Sequence, residues 1–123
     1  MKPTDAELEI LRTLWERGPS TVRDVHDALS AKRPVRYTTT LKLMQIMAEK
    51  GLVIRDESQR AHVYRPVQDA SETKTNILQE LREKLFAGSA SQLVMHALSG
   101  KPCSTEELAA IRKLLDEQEG DSK

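Results

Sequence analysis

The sequence is poor in aromatic side chains and in cysteine. Only 3% of its 123 residues are aromatic, so aliphatic side chains must fill any core. Its one cysteine, Cys103, has no partner for a disulfide within the chain and no second thiolate for a cysteine-rich zinc site. No apolar run approaches the roughly 20 residues that a membrane-spanning helix needs. These absences predict a protein of the reducing cytoplasm, without insertion into a membrane.

Recognisable catalytic motifs are also missing. The chain has no nucleophile elbow, no P-loop and no glycine-rich dinucleotide fingerprint. Its three histidines, His26, His62 and His96, each lack a second histidine or cysteine at metal-ligand spacing. We therefore predict no enzymatic activity, no metal site and no cofactor.

Helix start and stop signals recur along the chain. The stretches TDAE, TVRD, DASE, SASQ and STEE resemble capping boxes, and the five glycines each follow a segment with helical periodicity. Pro34 ends the second helix instead. The predicted helices cover about 4–17, 21–32, 38–50, 69–87, 90–99 and 104–118.

A hairpin is predicted between the third and fourth helices. The stretch LVIRDESQRAHVYRPV has β-branched residues on either side of a polar centre, with the loop tip near 57–60. The sequence alone does not decide whether a third short strand forms near 20–22. The element order predicts a mainly α fold with a small β-hairpin wing: a winged helix-turn-helix domain over 1–67 and a helical dimerisation domain over 68–123.

The third helix has the pattern of a DNA-reading helix. With Thr38 as its N-cap, Leu41, Met44 and Met47 face the core, and Lys42 and Gln45 lie on the opposite side. Recognition helices contact base edges and phosphates with N-terminal residues, where the threonine hydroxyl and methyl are suitable. A surface that is merely solvated is the alternative for this helix.

Basic residues near this helix favour DNA. Lys32, Arg33 and Arg36 precede it, and Arg60 lies at the predicted hairpin tip. Residues 1–67 carry twelve Lys and Arg against nine Asp and Glu, whereas residues 68–123 carry seven against ten. The predicted DNA-binding residues are Arg36, Tyr37, Thr38, Thr39, Thr40, Lys42, Gln45 and Arg60. Thr39 is the threonine most expected to touch DNA, because Thr40 projects toward the core and Thr38 caps.

The second half carries apolar stripes that three short helices cannot bury alone. Pairing with a second copy would cover them in a two-fold dimer; folding back onto the first domain is the alternative. The predicted dimerisation residues are Ile77, Leu78, Leu81, Leu85, Leu93, Val94, Leu98, Leu108, Ile111 and Leu115.

Several of these motifs occur together in a known family. The "ELEIL…LW" helix, the "T.RDV" second helix, the "YTT…KGLV" segment and the wing ending "R.HVYRPV" resemble the N-terminal domain of the penicillinase-repressor (BlaI/MecI) family. The resemblance covers most of residues 3–66 and is looser beyond. It implies a homodimeric repressor of the cytoplasm that binds a double-stranded DNA operator.

The resemblance also implies a mode of induction. Members that respond to antibiotics are cleaved at an Asn–Phe bond in the dimerisation region, which suggests a membrane sensor protease as a further partner. The matching pair here is His96 and Ala97, so the bond differs from that of the family. From the residues alone, a winged-helix protein-interaction module without specific DNA binding remains the alternative function.

Overall fold

The computed structural model describes residues 2–121, apart from the side chain of Asp121. Over this range the chain forms six helices and three short strands. In chain order these are α1 (Asp5–Arg17), β1 (Ser20–Thr21), α2 (Val22–Ser30), α3 (Tyr37–Lys50), β2 (Val53–Asp56), β3 (Val63–Pro66), α4 (Ala70–Phe86), α5 (Ala90–Gly100) and α6 (Thr105–Asp121). The predicted mainly helical fold with a hairpin wing is confirmed.

Reciprocal capping boxes start the first two helices, as predicted. The Thr4 hydroxyl accepts a hydrogen bond from the Glu7 backbone N–H, and the Glu7 carboxylate accepts one from the Thr4 N–H. Thr21 and Asp24 repeat this exchange at α2. These bonds satisfy backbone donors that a helix N-terminus otherwise leaves without partners, so they fix where each helix begins.

The start of α3 differs from the prediction. Arg36, not Thr38, occupies the N-cap position, and no side chain caps the helix there. Thr38 lies inside the first turn, so its hydroxyl is not used for capping. At the other end Gly51 adopts φ +81°, a left-handed conformation that an L side chain rarely adopts, and this turns the chain into β2.

The three strands form an antiparallel sheet in the order β1, β3, β2. Ser20 pairs with Tyr64, so the third strand that the sequence leaves open is present, and Val53 pairs with Pro66 in the wing. At the wing tip the Ser58 backbone N–H donates to Asp56 Oδ1 at 2.9 Å. This hydrogen bond favours the carboxylate and holds the pKa of Asp56 below its usual value.

One core joins the first three helices to the wing. Tyr64 from β3 is 2% exposed and packs with aliphatic residues of α1, α2 and α3. The buried hydrophobic residues of this core are Ile10, Leu11, Leu14, Val22, Val25, Leu29, Met44, Met47, Val53 and Tyr64. Trp15 is only partly buried against them, and its indole N–H donates to the Gln68 carbonyl at 3.0 Å. The core therefore holds α3 through the face that carries Met44 and Met47 and leaves the opposite face of the helix exposed.

The later helices follow the predicted start signals. The side chains of Asp69, Ser89 and Ser104 each accept a backbone N–H three residues on. Gly120 lies inside α6, so the prediction that it ends the last helix is wrong.

Two compact units divide the chain between Leu78 and Gln79, within α4. The predicted domain boundary, between 67 and 68, precedes this helix and remains a prediction. None of the helices within residues 2–121 combines the length and the apolar character needed to cross a membrane.

Candidate nucleic-acid interface

The outer face of α3 is a polar stripe at helical spacing. Thr38, Lys42, Gln45 and Glu49 are all exposed, whereas Met44 and Met47 on the opposite side are fully buried. The predicted separation of faces is therefore present. Thr39 is also exposed beside this stripe, which leaves its hydroxyl and methyl accessible.

Thr40 does not belong to this surface. It is fully buried, and its hydroxyl lies 3.4 Å from Nδ1 of His26 on α2. Its inclusion among the DNA-contacting residues is corrected, because a side chain with no exposed surface cannot reach a base or phosphate without moving. The expectation that Thr40 projects toward the core agrees with this burial.

Backbone donors are free at the N-terminus of α3. The Arg36 carbonyl accepts hydrogen bonds from the N–H groups of Thr39 and Thr40. The N–H groups of Tyr37 and Thr38, the first two of the helix, have no acceptor among residues 2–121. Free N–H groups and the positive end of the helix dipole favour an anion such as phosphate.

Three predicted cations keep their charges unpaired. Arg36, Lys42 and Arg60 are exposed, and none forms an ion pair with any residue that the structure describes. Arg33 is different: its guanidinium lies 2.6 Å from the Glu9 carboxylate of α1. Fewer basic side chains are therefore free to bind a phosphate than the sequence predicts, because Glu9 balances the charge of Arg33.

The wing adds a cation at its tip. Arg60 lies in the loop between β2 and β3 and is exposed. On β2, Arg55 is 2.6 Å from the Glu57 carboxylate, so its charge is balanced locally. Arg60 therefore offers a free positive charge at the wing tip.

Two sets of contacts near α3 are not predictable from the sequence. Lys50, at the end of α3, lies 2.9 Å from both oxygens of the buried Glu7 carboxylate. At the start of α3, the Tyr37 ring contacts Arg23 and His26 of α2. No spacing rule connects these residues, since tertiary packing brings them together.

The last three helices expose apolar surface. Within α5 no residue is buried, and Leu85 and Met95 are 70% and 68% exposed. Of the predicted dimerisation residues, Ile77, Leu93 and Ile111 are half-buried, and the others are exposed: Leu78, Leu81, Leu85, Val94, Leu98, Leu108 and Leu115.

The predicted cleavage region lies in the middle of α5. His96 and Ala97 are both exposed, and the His96 ring lies 5.9 Å from the ring of Phe86. A protease binds its substrate as an extended strand, so this part of α5 must unwind before it can be cut.

A helix-turn-helix core, an exposed polar third helix and a β-hairpin wing define a winged-helix transcriptional regulator. The chain belongs to the penicillinase repressor family, whose model matches residues 3–117. This family comprises transcriptional regulators, not enzymes.

Relatives align along nearly the whole chain. A transcriptional regulator named BlaI from Mycobacterium tuberculosis H37Rv is 35% identical over 117 residues, covering 94% of this chain and 83% of that protein. The penicillinase repressor of Bacillus licheniformis is 22% identical over 120 residues, covering 98% and 94%. The relatives are thus transcriptional repressors and regulators of similar length.

Solved structures share the fold. A MarR family protein from Bacillus stearothermophilus gives a TM-score of 0.54 at 20% identity, covering 99% of this chain and 76% of its own. The regulator Tm0710 from Thermotoga maritima gives 0.51 at 21% identity, covering 97% and 75%. At these identities the likeness describes the winged-helix architecture alone.

Proposed function

We propose that this protein is a sequence-specific transcriptional repressor that binds a dyad DNA operator as a homodimer. The observation that carries this proposal is the outer face of α3. It offers hydrogen-bonding side chains, two free backbone N–H groups and unpaired cations on one surface. Membership of a repressor family supports the same conclusion.

Base reading is assigned to the middle of this stripe. Gln45 can make two hydrogen bonds to an adenine edge, and Lys42 can donate to guanine in the major groove. Thr38 and Thr39 lie in the first turn, where short side chains allow close approach to base or phosphate. Arg36 and Arg60 supply phosphate contacts on either side, since both are exposed and unpaired.

Homodimerisation follows from the exposed apolar residues of α4, α5 and α6. Two-fold pairing lets each copy cover the stripes of the other, as in other isologous interfaces. Two winged domains then engage two half-sites separated by one helical turn of DNA or a multiple of it. Relief of repression acts on this region, through proteolysis near His96 and Ala97 by a sensor protease or through another signal.

Salt-titrated binding tests the DNA assignment. On DNA that carries a dyad operator selected from the region upstream of the gene, we expect a steep fall of log K with log salt and about 10³-fold or greater preference over random DNA. Lys42→Ala and Gln45→Ala should each cost about 1–3 kcal/mol and relax preference at one base pair. Arg60→Ala should weaken binding to all sequences alike.

The alternative, a protein-interaction module, predicts other results. Binding without a steep salt dependence, or without preference over random DNA, would reject the repressor assignment. Glu16→Gln is the control, because Glu16 is exposed on α1 and outside the proposed surface. Wild-type base preference in both the Lys42 and Gln45 variants would show that α3 is not the reading helix.

A further inference from the structure

Arg23, near the start of α2, is stacked on an aromatic ring of α3. Its guanidinium carbon lies 4.6 Å from the centre of the Tyr37 ring. Tyr37 is the first residue of α3, beside the free N–H groups described above. The stack therefore brings a cation of α2 to the N-terminus of the proposed reading helix.

His26 holds the ring of Tyr37 in place. The two ring centres lie 5.4 Å apart, with the planes nearly perpendicular at 83°. Both nitrogens of His26 are engaged: Nε2 lies 3.1 Å from the Ser30 hydroxyl, and Nδ1 lies 3.4 Å from the buried Thr40 hydroxyl. Because His26 is fixed on two sides, it limits the orientations open to Tyr37.

The charge of Arg23 is not used within the chain. Arg23 is exposed and forms no ion pair with any residue in the range 2–121. Stacking on a ring restricts the guanidinium without neutralising it, and its planar array of N–H donors matches the oxygens of a phosphate. Fewer side-chain conformations then have to be given up when an anion binds.

We propose that Arg23 is a further phosphate contact of this protein, preorganised by Tyr37, with His26 as the residue that positions Tyr37. The ligand is a phosphodiester of the DNA strand that passes the N-terminus of α3. This inference rests on the proposed DNA-binding function and adds a contact on α2 to those on α3 and the wing.

The salt dependence of binding by the full-length protein to operator DNA tests this contact. Each phosphate contact contributes about 0.9 to the slope of log K against log salt. Arg23→Ala should therefore make the slope less negative by about 0.9 per subunit. This corresponds to an affinity about eightfold weaker per contact at 0.1 M salt. The ratio of operator to random binding should stay unchanged, because a phosphate carries no sequence information.

Arg12→Ala is the matched control. Arg12 is also an exposed, unpaired arginine, but it lies on α1 in a groove beside the start of α4. Its replacement should leave the salt slope at the wild-type value. An equal fall in both variants would indicate a general effect of net charge and would overturn the assignment of Arg23.

Variants of Tyr37 test the preorganisation. Tyr37→Phe keeps the ring and should keep the wild-type slope. Tyr37→Leu removes the ring but no charge, so it should keep the wild-type slope but bind the operator more weakly at a fixed salt concentration, because a released Arg23 loses more conformations on binding. The double variant Arg23→Ala/Tyr37→Leu should then show the same operator affinity as Arg23→Ala alone.

The outcomes separate this inference from the proposed function. A wild-type protein without steep salt dependence contradicts DNA binding itself. Steep wild-type dependence with an unchanged slope in Arg23→Ala rejects only the Arg23 contact. A slope of smaller magnitude in Arg23→Ala, together with wild-type affinity in Tyr37→Leu, keeps the contact and rejects the role of the ring. Thermal melting of each variant shows whether the fold is retained.

Discussion

Glu7 is a carboxylate buried in the first turn of α1. Its side chain is 2% exposed, and it accepts hydrogen bonds from the Thr4 N–H and the Lys50 ammonium. Burial opposes its ionisation, but these bonds outweigh that effect and hold the pKa of Glu7 below its usual value of 4.5. One carboxylate thus caps α1 and ties it to the last turn of α3.

This arrangement predicts a pH-dependent contribution to stability. Because the pKa of Glu7 is lowered on folding, its contribution is complete above pH 4.5 and is lost as the pH falls through the lower, folded value. Glu7→Gln should lower the free energy of unfolding by about 1.5 kcal/mol at pH 7, the lower end for a hydrogen bond to a charged group, since Lys50 is partly solvated.

Urea denaturation of both proteins from pH 2 to pH 7 measures this difference. It should shrink in acid, because protonated Glu7 resembles glutamine in shape and charge. Glu16→Gln serves as the control for an exposed carboxylate on the same helix. A wild-type advantage that stays constant down to pH 2 would contradict the ion-pair explanation.

At the scale of elements, the sequence predicts those helix starts that depend on neighbouring residues. Thr4 and Thr21 sit at helix starts because their capping boxes use residues three positions apart. The sequence predicts the wrong start for α3 because Arg36 makes no side-chain cap, and Thr38 is the nearest residue of a capping type. Local rules fail at this position, which is also where the proposed DNA surface begins.

Contacts between elements could not be predicted in this way. Glu7 and Lys50 are 43 residues apart, and His26 and Thr40 are 14 apart. Their meeting depends on how α1, α2 and α3 pack, and the hydrophobic pattern specifies faces without specifying neighbours. The polar stripe of α3 was predictable because helical periodicity alone separates Lys42 and Gln45 from Met44 and Met47.

Cleavage is proposed within α5, and the loss of the residues that follow the cut has a predictable effect. A chain ending at His96 corresponds to the product of a cut before Ala97, and it lacks the end of α5 and all of α6. Leu98, Leu108, Ile111 and Leu115 are removed with them. We expect this fragment to be monomeric in analytical ultracentrifugation and to bind the dyad operator at least about 10²-fold more weakly than the full chain.

The full-length protein carrying His96→Gln is the control, because it alters the side chain at the proposed cleavage site without removing the residues that follow. It should retain dimerisation and operator binding, because residue 96 is exposed. Should the fragment ending at His96 bind the dyad as tightly as the full chain, proteolysis near this bond could not explain induction.

At the scale of the whole molecule, two kinds of surface remain uncovered in one chain. One is polar and cationic, on α3 and the wing, and the other is apolar, on α4, α5 and α6. We propose that a second copy covers the apolar surface and that DNA binds the cationic one. Dimerisation should therefore couple to operator affinity, since two tethered reading helices bind one dyad with an effective concentration that separate chains lack.

Leu115→Gln tests this coupling, because Leu115 is 55% exposed within the apolar face of α6. Sedimentation should show a weakened dimer, and affinity for the dyad should fall by about 10²-fold or more at protein concentrations below the new dimer dissociation constant. Affinity for an isolated half-site should not change, because α3 and the wing are intact. Lys113→Gln, an exposed change on the same helix, should leave both properties at wild-type values. A monomeric Leu115→Gln protein that keeps full dyad affinity would show that the two winged domains bind independently, and the dimeric mode of repression would then have to be abandoned.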